Sequence, residues 1–142
     1  MTRRPTAAAD YTAALGSAVY AFAELEWNAV QCCERIEAGS IASLSDRTAG
    51  RVADTLVMLA ARLPDPPDSG ARARLSTAAT RFQALVRSRN NLLHAKPGAD
   101  HDGARRLFRD GDPWTIREIE AIGAAFADCG DELAALLRGP LD

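Results

Sequence analysis

Hydrophobic residues recur at intervals of three and four along four stretches of the chain, the spacing that lines up one face of an α-helix. The first stretch, roughly 10–37, carries Leu15, Ala18, Phe22, Leu25, Ala29, Cys32 and Ile36, and Gly39 ends it. A second, roughly 45–63, opens at Ser45 or Asp46 as N-cap, repeats Val52, Leu56, Leu59 and Leu63, and stops at Pro64-Asp65-Pro66-Pro67. The third, about 69–95, repeats Leu75, Ala79, Phe82, Val86 and Leu93. The fourth starts with Thr115-Ile116-Arg117-Glu118, a capping box, then repeats Ile119, Ile122, Phe126, Cys129, Leu133 and Leu136 before Gly139-Pro140. These stretches predict an all-α chain, an up-and-down bundle of four main helices. Residues 96–114, rich in Gly, Asp and Pro, separate the third helix from the fourth. There Arg105 to Arg109 and Trp114 to Ile116 flank Asp110-Gly111-Asp112-Pro113, which predicts either a short hairpin or an irregular loop.

The third helix breaks its own pattern near its end. Residues 87–94 read Arg87-Ser88-Arg89-Asn90-Asn91-Leu92-Leu93-His94, and the repeat places Arg89 where another aliphatic residue is due. A guanidinium on a core-facing stripe is costly unless something pairs with it. Glu26, in the row Val19, Ala23, Glu26, Val30 and Cys33 of the first helix, is the candidate partner for Arg87 or Arg89; the alternative is an exposed Glu26 with no partner. Asn90 and His94 are four apart and share a face beside Arg89. One cation, one amide and one imidazole thus converge on a patch the size of a phosphate.

At 142 residues and 47% hydrophobic content the chain suits a single domain over 1–142, with 1–9 expected as a flexible N-terminus. Cys32, Cys33 and Cys129 are odd in number and form no CxxC or Cys/His ligand set, so reduced, buried thiols are expected and no metal or other cofactor is implied. The uncharged run from Tyr11 to Ala23 is too short to span a bilayer, which points to a cytoplasmic protein without a membrane partner. A net charge of -2 hides an asymmetry. Residues 71–109 hold nine Arg or Lys against two Asp, a local +7, which leaves -9 for the remainder. Such a basic segment either attracts an anion, with nucleic acid the usual partner, or forms a solvated face paired with acids elsewhere in the fold.

Arg89-Asn90-Asn91-Leu92-Leu93-His94 resembles the signature of HEPN domains, an Arg followed by a polar residue, three more residues and a His at the end of a long helix in an all-α bundle. Phe22-Ala23-Glu24-Leu25-Glu26-Trp27 and Glu34-Arg35-Ile36 in the first helix are similar as well. The resemblance implies a metal-independent endoribonuclease, a toxin or defence effector, working as a homodimer through the face that carries Arg89 and His94. It also implies a nucleotidyltransferase-type antitoxin as partner. Arg89, Asn90 and His94 are the catalytic candidates, and Arg87, Lys96, Arg105 and Arg106 the candidate RNA-binding residues.

The residue types suit that chemistry on their own account. An imidazole titrates at roughly 6.5, so His94 can take a proton from an RNA 2′-hydroxyl or return one to the leaving 5′-oxygen. Arg89 offers a permanently charged planar fork for a phosphate gaining negative charge. Asn90 can orient His94 or donate to a phosphate oxygen. One motif histidine per chain, His94, is thin equipment for both acid and base, and a twofold axis near the third helix supplies a second. The loop after His94 can bring Arg105, Arg106 or Arg109 toward a bound phosphate. The competing expectation is a catalytically silent HEPN-like module that binds nucleotide, RNA or a protein. Asp100-His101-Asp102 reads as a solvated loop, since three consecutive residues rarely converge on one ion. Trp27 and Trp114 fit core or subunit-interface packing better than base stacking.

Overall fold

In the computed structural model the described residues are 6–64 and 70–142, so most of the expected N-terminal segment 1–9, the Asp65-Pro66-Pro67 stop and the start of the third helix at Ser69 lie largely outside them. Five helices and three short strands follow in the order α1 (Ala9–Ile36), α2 (Ser40–Leu44), α3 (Ala49–Arg62), α4 (Ala71–Leu93), β1 (Lys96–Ala99), β2 (Arg105–Arg109), β3 (Asp112–Pro113) and α5 (Ile116–Leu137). The chain is therefore mainly helical, as the periodicity demands, with a small sheet inserted before the last helix.

The stripes read from the sequence become the core. Leu25, Ala29 and Cys32 of α1, Leu56 of α3, Leu75, Ala79 and Phe82 of α4, and Ile119, Phe126 and Leu133 of α5 are buried, and Phe22 stands edge-on to Phe126 with ring centroids 5.1 Å apart. Thr115 forms the expected capping box with Glu118: its hydroxyl accepts from the Glu118 N–H at 3.1 Å, and the Glu118 carboxylate accepts from the Thr115 N–H at 3.2 Å. All three cysteines are free and buried.

Three expectations are corrected. The second helix does not start at Ser45 or Asp46. The Glu34 carboxylate accepts from the N–H groups of Gly39 (2.7 Å) and Ile41 (2.9 Å), which turns the chain into the extra helix α2, and α3 is capped by Thr48. Leu92, not Leu93, continues the buried stripe of α4, leaving Leu93 44% exposed. The order of the bundle also differs from strict up-and-down alternation, because α1 and α5 run side by side in the same direction. Ala18 faces Gly123, Leu25 faces Gly130, the Cys32 thiol is 3.9 Å from the Leu133 carbonyl and Arg35 donates to the Leu141 carbonyl at 3.1 Å. Alternation presumes short turns between neighbouring helices; the connection 37–48 contains a helix of its own. Gly123 permits this close approach, since a Cβ there would sit 3.3 Å from the Ala18 Cα.

Residues 96–113 form an antiparallel sheet in the order β1-β2-β3, with Lys96 opposite Phe108, Gly98 opposite Arg106, and Phe108 opposite Pro113. A hairpin forms here, but its second strand is Asp112–Pro113 rather than Trp114 to Ile116, because the turn is only Asp110-Gly111: both residues have positive φ, 50° and 85°, the two-residue turn whose twist matches paired strands. Strand β1 was not foreseen. A buried tyrosine ties the sheet to the bundle: the Tyr11 hydroxyl donates to the Trp114 carbonyl (2.8 Å) and accepts from the Leu107 N–H (3.0 Å).

Candidate functional site

α4 delivers its polar insert to the end of the bundle where the sheet sits. Arg89 is half-buried between α4 and α1, with its guanidinium carbon 5.1 Å from the centre of the Phe22 ring and Nη1 donating to the Asn90 Oδ1 at 3.0 Å. Around it lies a crease of about 120 Å³ lined by Val19, Phe22, Ala23, Glu26, Leu92 and Leu93 among others. The cation thus occupies a position in the apolar stripe, with an aromatic face and a neighbouring amide as partners.

Glu26 shares the crease but does not form an ion pair with Arg89. Among the described residues the ion pairs are Arg35–Asp142, Arg47–Asp46, Arg81–Glu132, His101–Asp102 and Arg106–Asp100. Desolvation raises the Glu26 carboxyl above its ordinary value, and the charge of Arg89 offsets part of that rise. The two residues are coupled through the field of the Arg89 charge rather than through an ion pair. The Glu26–Arg87 alternative also finds no ion pair, and Arg87 is exposed.

His94 is the C-cap of α4, its N–H bonded to the Asn90 carbonyl at 2.9 Å, and its side chain is exposed. It lines a second cleft, of about 440 Å³, with Asn90, Asn91, Lys96, Phe108, Arg109 and the Asp110-Gly111 turn. Within one chain Arg89 and His94 therefore line different clefts. Asn90 joins them: its amide oxygen takes the Arg89 hydrogen bond, and the residue lines the His94 cleft.

Of the candidate RNA-binding residues, Lys96 lines the His94 cleft, whereas Arg105 and Arg106 do not. Arg105 lies at the far end of β2, opposite Ala99. Arg106 stacks on the Tyr11 ring at 4.5 Å, which ties the sheet to α1, and lies 3.7 Å from the carboxylate of Asp100 in the β1–β2 connection. Arg109 takes the place expected of them, in the cleft and with its guanidinium 5.2 Å from the Trp114 ring centre. Asp100 turns inward, its Oδ1 accepting from the N–H groups of Asp102 and Ala104 at 2.9 Å each, while His101 is exposed. Trp114 is buried, and Trp27 is 52% exposed.

Phe108 and Asn91 escaped the sequence reading. The signal for Phe108 lay in the Asp-Gly turn, because fixing the hairpin register fixes which strand residues end beside the last turn of α4. The thiols offer no competing nucleophile: burial pushes Cys32 up to about 12 and Cys33 and Cys129 up to about 11. Compared with protein-family models, with curated proteins and with solved structures, the chain finds no match in any of the three.

Proposed function

We propose that this chain is a metal-independent endoribonuclease of HEPN type, a toxin or defence effector, that works as a homodimer through the face carrying Arg89 and His94. The observation that supports it most is the half-buried Arg89 bonded to Asn90, with Asn90 lining the same basic cleft as His94. A guanidinium kept on an apolar stripe with only weak partners has a use outside the fold. In the proposed reaction His94 takes the proton of an RNA 2′-hydroxyl as its oxygen bonds to phosphorus. The P–O5′ bond breaks, and His94 of the partner subunit protonates the leaving oxygen. The products are a 2′,3′-cyclic phosphate and a 5′-hydroxyl. Arg89 stabilises the added negative charge on the five-coordinate phosphorus.

The dimer is supported by an apolar patch next to Arg89. Val19, Tyr20 and Trp27 of α1 are 49%, 69% and 52% exposed, and Val19 lines the Arg89 crease together with Leu93 of α4. A nucleotidyltransferase-type antitoxin remains part of the proposal on the strength of the HEPN resemblance.

The test is incubation of the purified protein with mixed RNA and EDTA, beside His94→Ala. Cleavage by the unmodified protein alone, leaving cyclic phosphate ends, is expected; cleavage that persists on 2′-deoxy substrate overturns the mechanism. The separation of Arg89 and His94 into two clefts favours a second reading, a silent HEPN-like module that binds RNA, nucleotide or protein. In that case His94→Ala leaves binding and any cellular effect intact.

A further inference from the structure

We infer that the cleft beside His94 is a binding site for single-stranded RNA, with one unpaired base stacked on Phe108 and the flanking phosphates held by Lys96 and Arg109. The inference deepens the ribonuclease reading and rests on it for the identity of the strand. Its geometry stands independently. Lys96 and Phe108 are paired across β1 and β2, Arg109 follows Phe108 directly, and all three line the cleft, so two cations share it with the ring. The ring rests on Gly98, where a Cβ would meet it at 3.1 Å, so the absence of a side chain at 98 is what lets it lie against β1. Phe108 is only half-buried and lines a cleft of about 440 Å³, room for a nucleotide.

An aromatic face flanked by cations is the arrangement that sequence-tolerant single-strand binders use, since every base has a π-face and every linkage a charge. Stacking on its neighbours within a duplex would hide the face that the ring needs. The side-chain amides of Asn90 and Asn91 offer donors and acceptors to a base edge, and the Asp110 carboxylate accepts from a base N–H.

The probe is a labelled, unstructured 2′-O-methyl octanucleotide, which lacks the attacking hydroxyl, so binding is read by fluorescence anisotropy without cleavage. Phe108→Leu is expected to weaken binding about tenfold, the scale of one base–aromatic stack, and Phe108→Tyr to keep it within about twofold, because the ring is retained. Lys96→Gln and Arg109→Gln are each expected to reduce the slope of log affinity against log salt by about 0.7, one phosphate contact on a single strand. Arg117→Gln, on exposed α5 surface outside the cleft, leaves both unchanged.

Unchanged affinity in Phe108→Leu with an intact thermal melt overturns the site. So does an unchanged salt slope in both charge variants, or equal affinity for duplex RNA or for adenosine monophosphate. The charge variants and Phe108→Tyr keep the test decisive even where Phe108→Leu fails to fold. Binding that follows this pattern while the cleavage assay gives no product removes the ribonuclease reading and leaves the site. Cleavage with none of these binding effects does the reverse.

Discussion

Arg89 is held by partners that are individually weak: the Phe22 ring at 5.1 Å, the Asn90 oxygen at 3.0 Å, and the field of a Glu26 with which it forms no ion pair. A cation–π contact contributes about 0.5–1 kcal/mol at such a site, and an aliphatic side chain in the same stripe would recover a similar amount through burial. Arg89→Leu is therefore expected to leave the thermal midpoint within about 3 °C while lowering RNA cleavage by about 10² to 10³, the cost of losing a charge-stabilising donor. A melt and a cleavage time course on the same preparation check both. Glu26 yields a second prediction, set by the direction of its shift. Because its folded value is raised, the native state holds more protons than the unfolded chain between the ordinary carboxylate value and the raised one, so its contribution to stability falls as pH rises through that window. Glu26→Gln should then melt higher than the unmodified protein at neutral pH. The difference should disappear below the ordinary carboxylate value, where both side chains are neutral; equal melting at both pH values would show that burial of Glu26 costs nothing. The misplaced arginine was visible in the sequence because one charge on an otherwise apolar repeat stands out. Which of Leu92 and Leu93 is buried was not, since 3.6 residues per turn falls between them and packing against α1 and α5 decides.

Between the last turn of α4 and the start of α5, the sheet is positioned by a few polar contacts rather than by a large core. Tyr11 makes two of them, to the Trp114 carbonyl and the Leu107 N–H, and Arg106 on the Tyr11 ring adds a third. Tyr11→Phe keeps the ring and leaves both backbone groups without that partner, so a loss of about 2 kcal/mol is expected, read by chemical denaturation. Hydrogen exchange should rise at 105–109 before it rises in α1 or α5, because the lost bonds belong to the sheet. A uniform rise across the chain would mean that the sheet and the helices open as one unit. Elements with strong local signals were readable in advance: the capping box at Thr115 and the Asp-Gly turn each bond within four residues. Strand β1 and helix α2 were not. β1 needs β2 as its partner, and Lys96-Pro97-Gly98-Ala99 has no alternation of its own. α2 depends on a Glu34 carboxylate reaching the Gly39 and Ile41 N–H groups from the previous helix. A window of hydrophobic periodicity registers neither.

At the scale of the whole molecule, the proposed reaction requires that two clefts separate in one chain meet in a dimer. The crease holds Arg89 and Glu26 with the exposed Val19 and Leu93, Tyr20 and Trp27 are exposed farther round and along α1, and the His94 cleft is lined mainly by polar residues. A second copy packing its own apolar patch on this one would cover the large exposed side chains of α1, withdraw water from Arg89, and set the two Asn90–His94 faces on either side of the axis. The charge asymmetry fits the same picture, since the basic segment contributes the sheet and the end of α4 while the acidic surplus belongs to the rest of the chain. Placing like charges on the patch should therefore separate assembly from folding. Tyr20→Glu and Leu93→Glu are exposed positions, so each chain should keep its helical content and melt cooperatively. Light scattering at micromolar concentration should move from two chains to one, and RNA cleavage should be lost in step with the dimer. Full cleavage by a monomeric Tyr20→Glu chain would mean that one Asn90–His94 pair carries out both proton transfers. A monomer in the unmodified protein would remove the second histidine from the mechanism and leave the RNA-binding cleft as the activity of this fold.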